Sequence, residues 1–428
     1  MEFIADFHIH SNYSRATSSG MNLENLSKWA EIKGIKVLGT GDFTHPEWFK
    51  NLKEKLEPAE QGLYKLKVQS EKLKVNENFI TADNTTRFIL TSEISCIYSK
   101  GGKVRKIHIV VLAPDFQSVE KINTYLARIG NLKADGRPIL GLDSKELLKI
   151  ILDVSEDCLF VPAHCMTPWF GIFGSKSGFN SIEECFEDYS KYIYALETGL
   201  SADCPMLWRI PDARKTALIS NSDAHSLQKI GREANVFNIE LCYSAIIDAI
   251  KSKNPQKFLY TIEFFPQEGK YHYDGHRDCG ISLSPLESKK YNNICPRCGK
   301  PLTIGVLNRV EQLADKPEGF KPENAIPFKS LVPLQEIIAE ALEVGVSAKQ
   351  VLREYENLIK RFGSEFEVLL KTSKQELELA ASPKIAEGII RVREGRVFVE
   401  PGYDGVFGKV RIFSKQEQKK DSKQATLF

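Results

Sequence analysis

The chain lacks several features that would assign it to a class at once. Its 428 residues contain no basic, apolar and small-residue leader and no run of about 18 apolar side chains, so we expect neither a membrane partner nor export. The net charge of +2 is nearly zero, which means that an acidic partner has to be held by local basic patches. The length favours two or three domains in a cytoplasmic protein.

Histidine is scarce, and its placement is the first informative feature. The eight histidines are His8, His10, His45, His108, His164, His225, His272 and His276. Several follow or lie within short apolar segments that we predict to be strands, which favours metal ligands over surface residues. The nine cysteines are odd in number, and six lie in segments typical of reduced core thiols: Cys96, Cys158, Cys165, Cys185, Cys204 and Cys242.

The first ten residues read as an apolar strand that ends in His8-Ile9-His10. Residues i and i+2 of a strand point to the same face, so both imidazoles are predicted to lie side by side and to hold one metal ion. Asp6 shares that face, and we expect it to orient a ligand rather than to bind the ion. A helix over residues 21–34 and a strand over 36–40 follow, which predicts a βαβ unit with parallel strands.

Later strand-like segments repeat the arrangement, each carrying or preceding a histidine or an acidic residue. The side chains concerned are Asp42, Glu93, His108, His164, Glu197, Asp223 and His225. Imidazoles and carboxylates together suit Zn²⁺, Mn²⁺ or Fe²⁺, and a carboxylate such as Glu93 can bridge two ions. Ions about 4 Å apart clamp the attacking and leaving oxygens of a phosphoryl group, so the pattern predicts hydrolysis of a phosphate ester. Glu197 is either a ligand or a carboxylate that orients a ligand, and we favour the orienting role.

In this order, the motifs HxH, GTGD, SE, IH, AH and SDAH resemble the polymerase-and-histidinol-phosphatase (PHP) superfamily. The resemblance implies an α/β fold, a distorted seven-stranded β/α barrel over residues 1–260. It also implies two or three divalent cations (Mg²⁺, Mn²⁺ or Zn²⁺), with Glu93, His8, His10 and Asp223 as the catalytic residues. The implied ligands are His8, His10, Asp42, Glu93, His108, His164, Asp223 and His225.

Two departures from the superfamily pattern leave parts of this metal site open. Relatives usually have Asp-His in the second motif, where this chain has Asp42-Phe43. Asp42 or His45 therefore serves there, and we favour Asp42. The loop after His10 also lacks a further histidine that some relatives use, so the pattern does not decide whether a third metal site is occupied.

The loop that follows His164, residues 167–179, is rich in aromatic residues and glycine. One interpretation is a partly buried cover of the barrel mouth, and the other is a substrate-contacting loop, since glycine permits close approach to phosphate and aromatic rings stack on bases. The candidate lesion- and DNA-binding residues are Trp169, Phe170, Gly171, Gly174, Ser175 and Lys176. Lysine-rich stretches at residues 51–79 and 100–106 are candidates for a basic track along a nucleic-acid backbone.

A second cysteine pattern marks residues 261–318 as a small zinc-binding module. His276 and Cys279 are followed by Cys295-Pro-Arg-Cys298, and four N/S ligands at this spacing predict a closed structural Zn²⁺ site. His272 is the alternative fourth ligand. A redox CxxC is the alternative interpretation, but it leaves Cys279 and the histidines without a role.

The rest of the chain is predicted to be a mixed helical and β region over residues 319–413 and a polar tail over 414–428. We expect helices at 331–342, 347–361, 364–370 and 373–380, and short strands with glycine turns at 391–413. The tail has a disordered composition. Its end resembles the motif by which repair proteins bind a sliding clamp (PCNA-type), with Gln424, Leu427 and Phe428 as the contacting residues.

Nearly the whole chain is similar to the endonuclease Q family, most closely in GTGDFTHPEW (39–48), YHYDGHRDC (271–279) and CPRCGKPLTIGVLNRVEQLAD (295–315). The resemblance implies a nucleoid-associated DNA repair enzyme that recognises uracil, hypoxanthine, xanthine or an abasic site. It would cut the phosphodiester 5′ of the lesion. Two other classes remain open: a small-molecule phosphatase of the histidinol-phosphatase kind, and a non-catalytic DNA-binding or clamp-associated scaffold.

Overall fold

The computed structural model describes residues 1–67, 86–414 and Glu417, so the three proposed clamp-binding residues lie outside the described part of the chain. The strands are β1 (Glu2–Asp6), β2 (Val37–Gly39), β3 (Leu56–Pro58), β4 (Tyr64–Leu66), β5 (Arg87–Lys100), β6 (Lys103–Ala113), β7 (Ile139–Leu140), β8 (Leu159–Pro162), β9 (Ala195–Glu197), β10 (Ala217–Ile219), β11 (Ala234–Asn238), β12 (Phe258–Glu263), β13 (Asp274–His276), β14 (Ile281–Leu283), β15 (Phe328–Ser330), β16 (Phe398–Glu400) and β17 (Lys409–Arg411).

The helices are α1 (Leu23–Lys33), α2 (Pro46–Lys55), α3 (Phe116–Leu126), α4 (Ser144–Val154), α5 (Ile182–Phe186), α6 (Cys204–Leu207), α7 (Pro211–Lys215), α8 (Tyr243–Ser252), α9 (Pro285–Lys290), α10 (Val306–Leu313), α11 (Leu334–Leu342), α12 (Lys349–Phe362), α13 (Lys374–Ala380) and α14 (Pro383–Arg393). A π-helix covers Glu367–Lys371. Within the described residues, no helix combines the length and apolar character that a bilayer span requires.

An eleven-stranded sheet forms the centre of the molecule, in the order β15-β12-β11-β1-β2-β5-β4-β3, with β6 and β7 also paired to β5, and β8 paired to β6. Strands β1, β2 and β5 run parallel, as the predicted βαβ unit requires. Helix α1 connects the first two of them. It begins after Asn22, whose side chain accepts a hydrogen bond from Asn25, and ends at Gly34, whose φ of 87° suits glycine.

Strands β5 and β6 form a long antiparallel hairpin, so the expectation of parallel strands is wrong for this pair. Glu93 pairs with Val110, and Ser95 pairs with His108. Directly opposed residues share one face of a sheet and diagonal neighbours lie within reach of long side chains. The register therefore brings Glu93 and His108 together from the interiors of the two strands rather than from their ends.

The short parallel pair β9–β10 lies between β8 and β1. The amide of Cys165, after β8, donates to the carbonyl oxygen of Glu197 at 2.9 Å, and the amide of His10, after β1, donates to the carbonyl oxygen of Ala224 at 3.0 Å. These hydrogen bonds bring the segments that follow β1, β8, β9 and β10 to one end of the sheet. Five of the predicted ligands lie in those segments, namely His8, His10, His164, Asp223 and His225, whereas Asp42 follows β2 and Glu93 and His108 lie within β5 and β6.

Alternation along the strands divides the buried side chains into two clusters. Phe3 and Ala5 of β1, together with Phe7 directly after it, pack with Val37 and Ile89 in one cluster. The apolar face of α8 belongs to this first cluster, whereas the opposite strand faces and the apolar faces of helices such as α1, α3 and α4 form the other. Successive strand residues point to opposite faces, so both faces of the sheet are covered, as α/β architecture requires.

The C-terminal region joins the main sheet and also packs against α1. Strand β15 pairs with β12, and Lys33 at the end of α1 forms a buried 2.7 Å ion pair with Glu365. Helices α11, α12 and α13 cover most of the predicted helical segments. Helix α14 was not predicted and includes Arg391–Arg393, so the expected strands begin only at Phe398; Ser382 before Pro383 was the missed helix-start signal.

Candidate metal centre

The two imidazoles that follow β1 are each held from behind by a carboxylate. His8 Nδ1 lies 3.0 Å from both carboxylate oxygens of Glu197, and His10 Nδ1 lies 3.1 Å from Asp42 Oδ1. A carboxylate at Nδ1 places the proton on that nitrogen and leaves the lone pair of Nε2 for another partner. His8 Nε2 is buried and has no hydrogen-bond partner among the described residues.

Glu93 lies between two groups of candidate ligands. Its Oε2 is 3.2 Å from His10 Nε2 and 3.6 Å from His8 Nε2. Its Oε1 is 2.6 Å from His108 Nδ1 and 3.1 Å from His164 Nε2. Each carboxylate oxygen therefore faces a different pair of imidazoles, which is the arrangement expected of a carboxylate shared by two ions.

Asp223 completes the first group. Its Oδ1 lies 3.1 Å from His10 Nε2 and 3.6 Å from His8 Nε2. The ligand atoms within each group all lie within 4.8 Å of one another. The first group is His8, His10, Glu93 and Asp223, and the second is Glu93, His108 and His164.

The electrostatics of the two groups suit cations at their centres. Burial opposes ionisation of Glu93, but the charges of His108, Arg137 and His8 outweigh it and hold the pKa of this carboxyl well below its usual range. Burial likewise opposes protonation of His8, yet the nearby carboxylates, led by Glu197, raise its pKa. A divalent cation would supply the positive charge that the protonated imidazoles otherwise provide, and it would displace their protons on binding. Imidazole nitrogens and carboxylate oxygens are ligands for divalent first-row cations, so the residues present fit such ions.

Three residues in or beside this centre have backbone conformations that are rare for non-glycine residues. The φ angles are 51° at Asp42, 29° at His164 and 46° at Asp223. Left-handed conformations of this kind cost on the order of 1–3 kcal/mol each and persist where the surroundings enforce them. Their concentration at one end of the sheet is typical of a functional site.

The structure places three other predicted residues around the two groups rather than within them. Asp42 Oδ2 accepts hydrogen bonds from the backbone and side chain of Ser11 at 2.7 and 2.6 Å, so its second oxygen is also engaged. His225 packs against the His10 ring at 4.4 Å between centroids. His45 directly precedes α2 as its N-cap residue, and its ring packs against that of Tyr13 at 4.5 Å between centroids.

Asp6 and Arg137 complete the surroundings of the centre. Asp6 accepts hydrogen bonds from the amides of Ser222 and Gly231, so it shapes the loop around Asp223 instead of contacting an imidazole. Arg137 Nη1 lies 3.0 Å from Glu93 Oε2. Sequence reasoning missed this arginine, which follows no apolar strand and belongs to no motif that we recognised.

The loop after His164 runs along the second group. The Phe170 ring lies 4.2 Å from the ring of His108, and Trp169 is 49% exposed with Lys106 Nζ 4.9 Å from its centroid. Gly171 and Gly174 are buried, and an added Cβ would lie 2.7 and 2.4 Å, respectively, from the carbonyl oxygen of Thr167 at the start of the loop. These glycines therefore make the loop compact rather than opening it to a ligand.

The remaining candidate residues of the loop differ in access. Lys176 is exposed, whereas Ser175 has a buried hydroxyl without a hydrogen-bond partner among the described residues. Arg105 lies over the ring of Phe179 at 4.0 Å, beside the exposed hairpin tip of β5 and β6. Residues 68–79 of the lysine-rich stretch lie outside the described residues.

A second candidate centre lies in the β13–β14 region. The ligand atoms of His276, Cys279, Cys295 and Cys298 all lie within 4.8 Å of one another. His276 Nδ1 is 3.6 Å from Cys298 Sγ, and the amide of Gly299 donates to the carbonyl of Cys295 at 2.9 Å, which forms the turn of the knuckle. The group includes His276, whereas His272 is buried elsewhere, against Tyr273.

Sequence comparisons find relatives over parts and over nearly all of the chain. Residues 333–396 match the family described as MJ0043 C-terminal domain. The protein MJ0043 of Methanocaldococcus jannaschii is 35% identical over 275 residues, which are 60% of this chain and 33% of that protein, so the match spans about a third of the relative. YqxK of Bacillus subtilis is 30% identical over 420 residues, covering 95% of this chain and 98% of YqxK.

Structural comparison extends this likeness to solved proteins. The lesion-specific endonuclease PfuEndoQ from Pyrococcus furiosus superposes with a TM-score of 0.83 at 28% identity, covering 98% of this chain and 99% of that one. A complex of endonuclease Q with a 27-mer duplex, carrying an abasic lesion at the active site, superposes with a TM-score of 0.82 at 29% identity. That match covers 97% of this chain and 98% of the other.

Proposed function

The chain belongs to the endonuclease Q family, and from this premise we propose that it is a metal-dependent DNA repair endonuclease. Its proposed substrates are duplexes that carry uracil, hypoxanthine, xanthine or an abasic site. The proposed reaction is hydrolysis of the phosphodiester 5′ of the lesion, which leaves a 3′-hydroxyl. The observation that carries the proposal is the position of Glu93, one oxygen facing each of two imidazole groups.

We assign the proposed cations to the two groups that share Glu93. His8, His10, Glu93 and Asp223 would hold one ion, and Glu93, His108 and His164 would hold the second. Divalent cations at such positions supply an activated water and neutralise charge on the phosphate. His225, whose Nδ1 lies 2.9 Å from the carbonyl oxygen of Asp223, is left as the candidate ligand of a third ion.

Asp42 and Glu197 are proposed to position ligands rather than to bind cations. Each lies against an Nδ1 atom, which fixes the tautomer and the ring orientation of the histidine in front of it. This assignment differs from the ligand role that the superfamily pattern implies for Asp42. It rests on the engagement of both Asp42 oxygens, by His10 on one side and by Ser11 and Ser14 on the other.

We propose that damaged DNA lies along the loop that follows His164. Trp169 is the exposed aromatic residue there, and Lys106 beside it supplies positive charge for the backbone. A lesion has to leave the base stack for its neighbouring phosphate to be reached, and an aromatic ring can stack on the base that stays behind. The Phe170 ring packs against His108, so we propose that it lines the floor of this site instead of stacking on a base.

The remaining parts of the chain carry three further proposals. The strands β1, β2, β5, β6, β8, β9 and β10 are proposed to form the distorted barrel of a PHP domain. A structural Zn²⁺ held by His276, Cys279, Cys295 and Cys298 is proposed to stabilise the module at residues 261–318. We propose residue 263 instead of residue 260 as the end of the first domain, because β12 extends to Glu263 within the main sheet. The zinc-binding module would then begin at residue 264.

Two proposals concern the environment of the protein in the cell. The tail at 414–428 is proposed to bind a sliding clamp through Gln424, Leu427 and Phe428. Its support is the motif at the end of a polar segment. A DNA substrate and a clamp partner together suggest a cytoplasmic, nucleoid-associated protein.

The decisive experiment uses end-labelled duplexes with one hypoxanthine, one uracil, one abasic site or no lesion, incubated with the full chain and Mg²⁺ or Mn²⁺. We expect a single nick 5′ of the lesion, an end that a polymerase can extend, and no cut in the plain duplex. Release of phosphate from a small phosphomonoester without any nicking would overturn the proposal in favour of a phosphatase. Lesion binding without any hydrolysis would favour the scaffold.

A further inference from the structure

The guanidinium of Arg137 reaches the shared carboxylate of the metal centre from a loop between α3 and β7. Its Nη1 lies 3.0 Å from Glu93 Oε2, the same oxygen that faces His10 and His8. The Arg137 side chain is 27% exposed, whereas that of Glu93 is fully buried. Arg137 is therefore a cationic residue at the point where the buried centre opens to solvent.

The backbone of this loop is held tightly on both sides of the arginine. Gly136 donates its amide to the carbonyl of Tyr13 at 3.0 Å and accepts from the hydroxyl of Thr44 at 3.1 Å. The carbonyl of Pro138 accepts from the amide of Ser95 at 3.0 Å. A Cβ on residue 136 would lie 2.3 Å from Asp42 Oδ2, so only glycine fits there. These contacts fix the backbone of the loop and therefore hold the Arg137 side chain beside Glu93.

The arginine has hydrogen-bonding capacity that the protein does not use. A guanidinium carries five N–H donors. Among the described residues, the Arg137 side chain makes one hydrogen bond, from Nη1 to Glu93. Its other donors lie at the partly exposed mouth of a site whose proposed substrate is a phosphodiester. The planar fork of a guanidinium matches two oxygens of a phosphate group.

We propose that Arg137 is a catalytic residue that donates hydrogen bonds to the non-bridging oxygens of the scissile phosphate. The inference rests on the proposed function. As the oxygen of a water molecule bonds to phosphorus, the P–O3′ bond breaks; one proton of the water ends on the 3′ oxygen and the other leaves to solvent. Arg137 keeps its protons and stabilises the negative charge that develops on the phosphoryl oxygens.

The competing explanation is that Arg137 only balances the charge of Glu93. The two roles differ in what the Arg137→Ala variant loses. A charge-balancing residue affects the affinity for cations, and excess cation restores activity. A phosphate-binding residue affects the chemical step even when cation and substrate are saturating.

The test measures single-turnover hydrolysis by the full chain at saturating Mn²⁺, on an abasic duplex and on bis(p-nitrophenyl) phosphate. The variants are Arg137→Ala and Arg137→Lys. The matched control is Arg15→Ala, which removes a 75% exposed cation whose Nε lies 3.3 Å from Asp135 of the same loop. Mn²⁺ affinity, DNA affinity and melting temperature are measured for each protein.

We expect Arg137→Ala to slow the chemical step on both substrates by about 100-fold or more, with affinities for Mn²⁺ and DNA within about threefold of wild type. Added guanidinium ion should restore part of the rate, and Arg137→Lys should lie between the two. Rates within about threefold of wild type, or full recovery with excess Mn²⁺, would overturn the inference.

The two substrates separate this inference from the proposed function. A wild-type protein that hydrolyses the simple diester but never the abasic duplex contradicts the repair function, and Arg137 is then judged on the diester alone. A wild-type protein that hydrolyses neither contradicts both.

Discussion

The guanidinium of Arg309 donates from Nε to the carbonyl oxygen of Phe173 across 3.0 Å. Its Nη2 also donates to the carbonyl of Phe179 and to Oδ1 of Asn180, both at 2.9 Å. Arg309 lies on α10, within the proposed zinc module of residues 261–318, whereas Phe173 lies in the loop beside the candidate metal centre. One side chain therefore connects the cysteine-containing module to the loop that we propose contacts DNA.

Arg309→Ala is expected to loosen that loop and to slow lesion cutting by raising KM more than it lowers kcat. Loss of hydrogen bonds worth about 1 kcal/mol each should lower the free energy of unfolding by roughly 1–3 kcal/mol. Trp169 is the most exposed tryptophan, so acrylamide quenching of fluorescence reports on the loop. Lys289→Ala, at an exposed position of α9 in the same module, is the control. Unchanged quenching and KM would contradict this coupling.

Glu93→Ala should bind lesion DNA nearly as well as wild type and cut it at least about 1,000-fold more slowly. Both ligand groups lose their shared carboxylate, while Trp169 and Lys106 remain. Binding is measured by fluorescence anisotropy and cutting by single-turnover kinetics at saturating Mn²⁺. The control is Glu57→Ala, which removes a half-exposed carboxylate that pairs with Lys65. Cutting at more than a tenth of the wild-type rate would show that the shared carboxylate is misassigned.

Asp42→Asn distinguishes an orienting residue from a ligand. If Asp42 positions His10, the variant should bind the same number of Mn²⁺ ions with about 10- to 100-fold lower affinity. Calorimetric titration gives both numbers. Asp143→Asn, which alters a helix cap at the start of α4, serves as the control. Loss of one bound ion, with unchanged affinity at the remaining site, would show that Asp42 is a metal ligand.

Cys298→Ser should remove one tightly bound zinc per chain and make residues 270–300 sensitive to protease. A module of this size buries little apolar surface, so its folding depends on the metal. Zinc is counted with a colorimetric chelator after denaturation, and the protease sites are found by mass spectrometry. Cys242→Ser changes a cysteine outside the group and should leave both unaltered. An unchanged zinc content would exclude Cys298 from the ligand set.

Stability should fall as pH rises from about 4.5 to 7, because of Glu263. Burial, together with the charge of Asp203, raises the pKa of this carboxyl from 4.5 to about 7. Below both values the folded and unfolded states each hold the proton. Between them, only the unfolded state loses it, so the free energy of unfolding decreases, and above pH 7 the penalty is constant.

Glu263→Gln removes this penalty. The variant should be more stable than wild type by roughly 1–3 kcal/mol at pH 8, and the difference should vanish near pH 4.5. Urea unfolding with chelator at several pH values measures it. Glu240→Gln, at an exposed position, should show no such trend. An equal difference in the free energy of unfolding at pH 4.5 and at pH 8 would show that the effect comes from packing and not from ionisation of Glu263.

Much of the architecture could be predicted because it follows from local patterns. Apolar segments bounded by glycine, proline and capping residues predicted α1 and the strands that carry Glu93 and His108, and the structure confirms them. The resemblance to the endonuclease Q family is likewise confirmed over nearly the whole chain. The antiparallel course of β6 was missed, although Gly101-Gly102, with φ angles of 60° and 71° between the two strands, is a two-residue hairpin signal that the sequence contains.

The sequence by itself determined the residue types of the centre and the spacing that puts His8 and His10 together. Only the tertiary structure decided which carboxylates contact the Nδ1 atoms of His8 and His10 and which face their Nε2 atoms at the centre. Glu197 reaches His8 across 189 positions, and Asp42 takes the same role at His10. Such roles depend on the orientation of each ring, which packing between distant strands sets. The position of Arg137 at the centre could not be predicted for the same reason, because its loop is held by Tyr13, Thr44 and Ser95, which lie far from it in the chain.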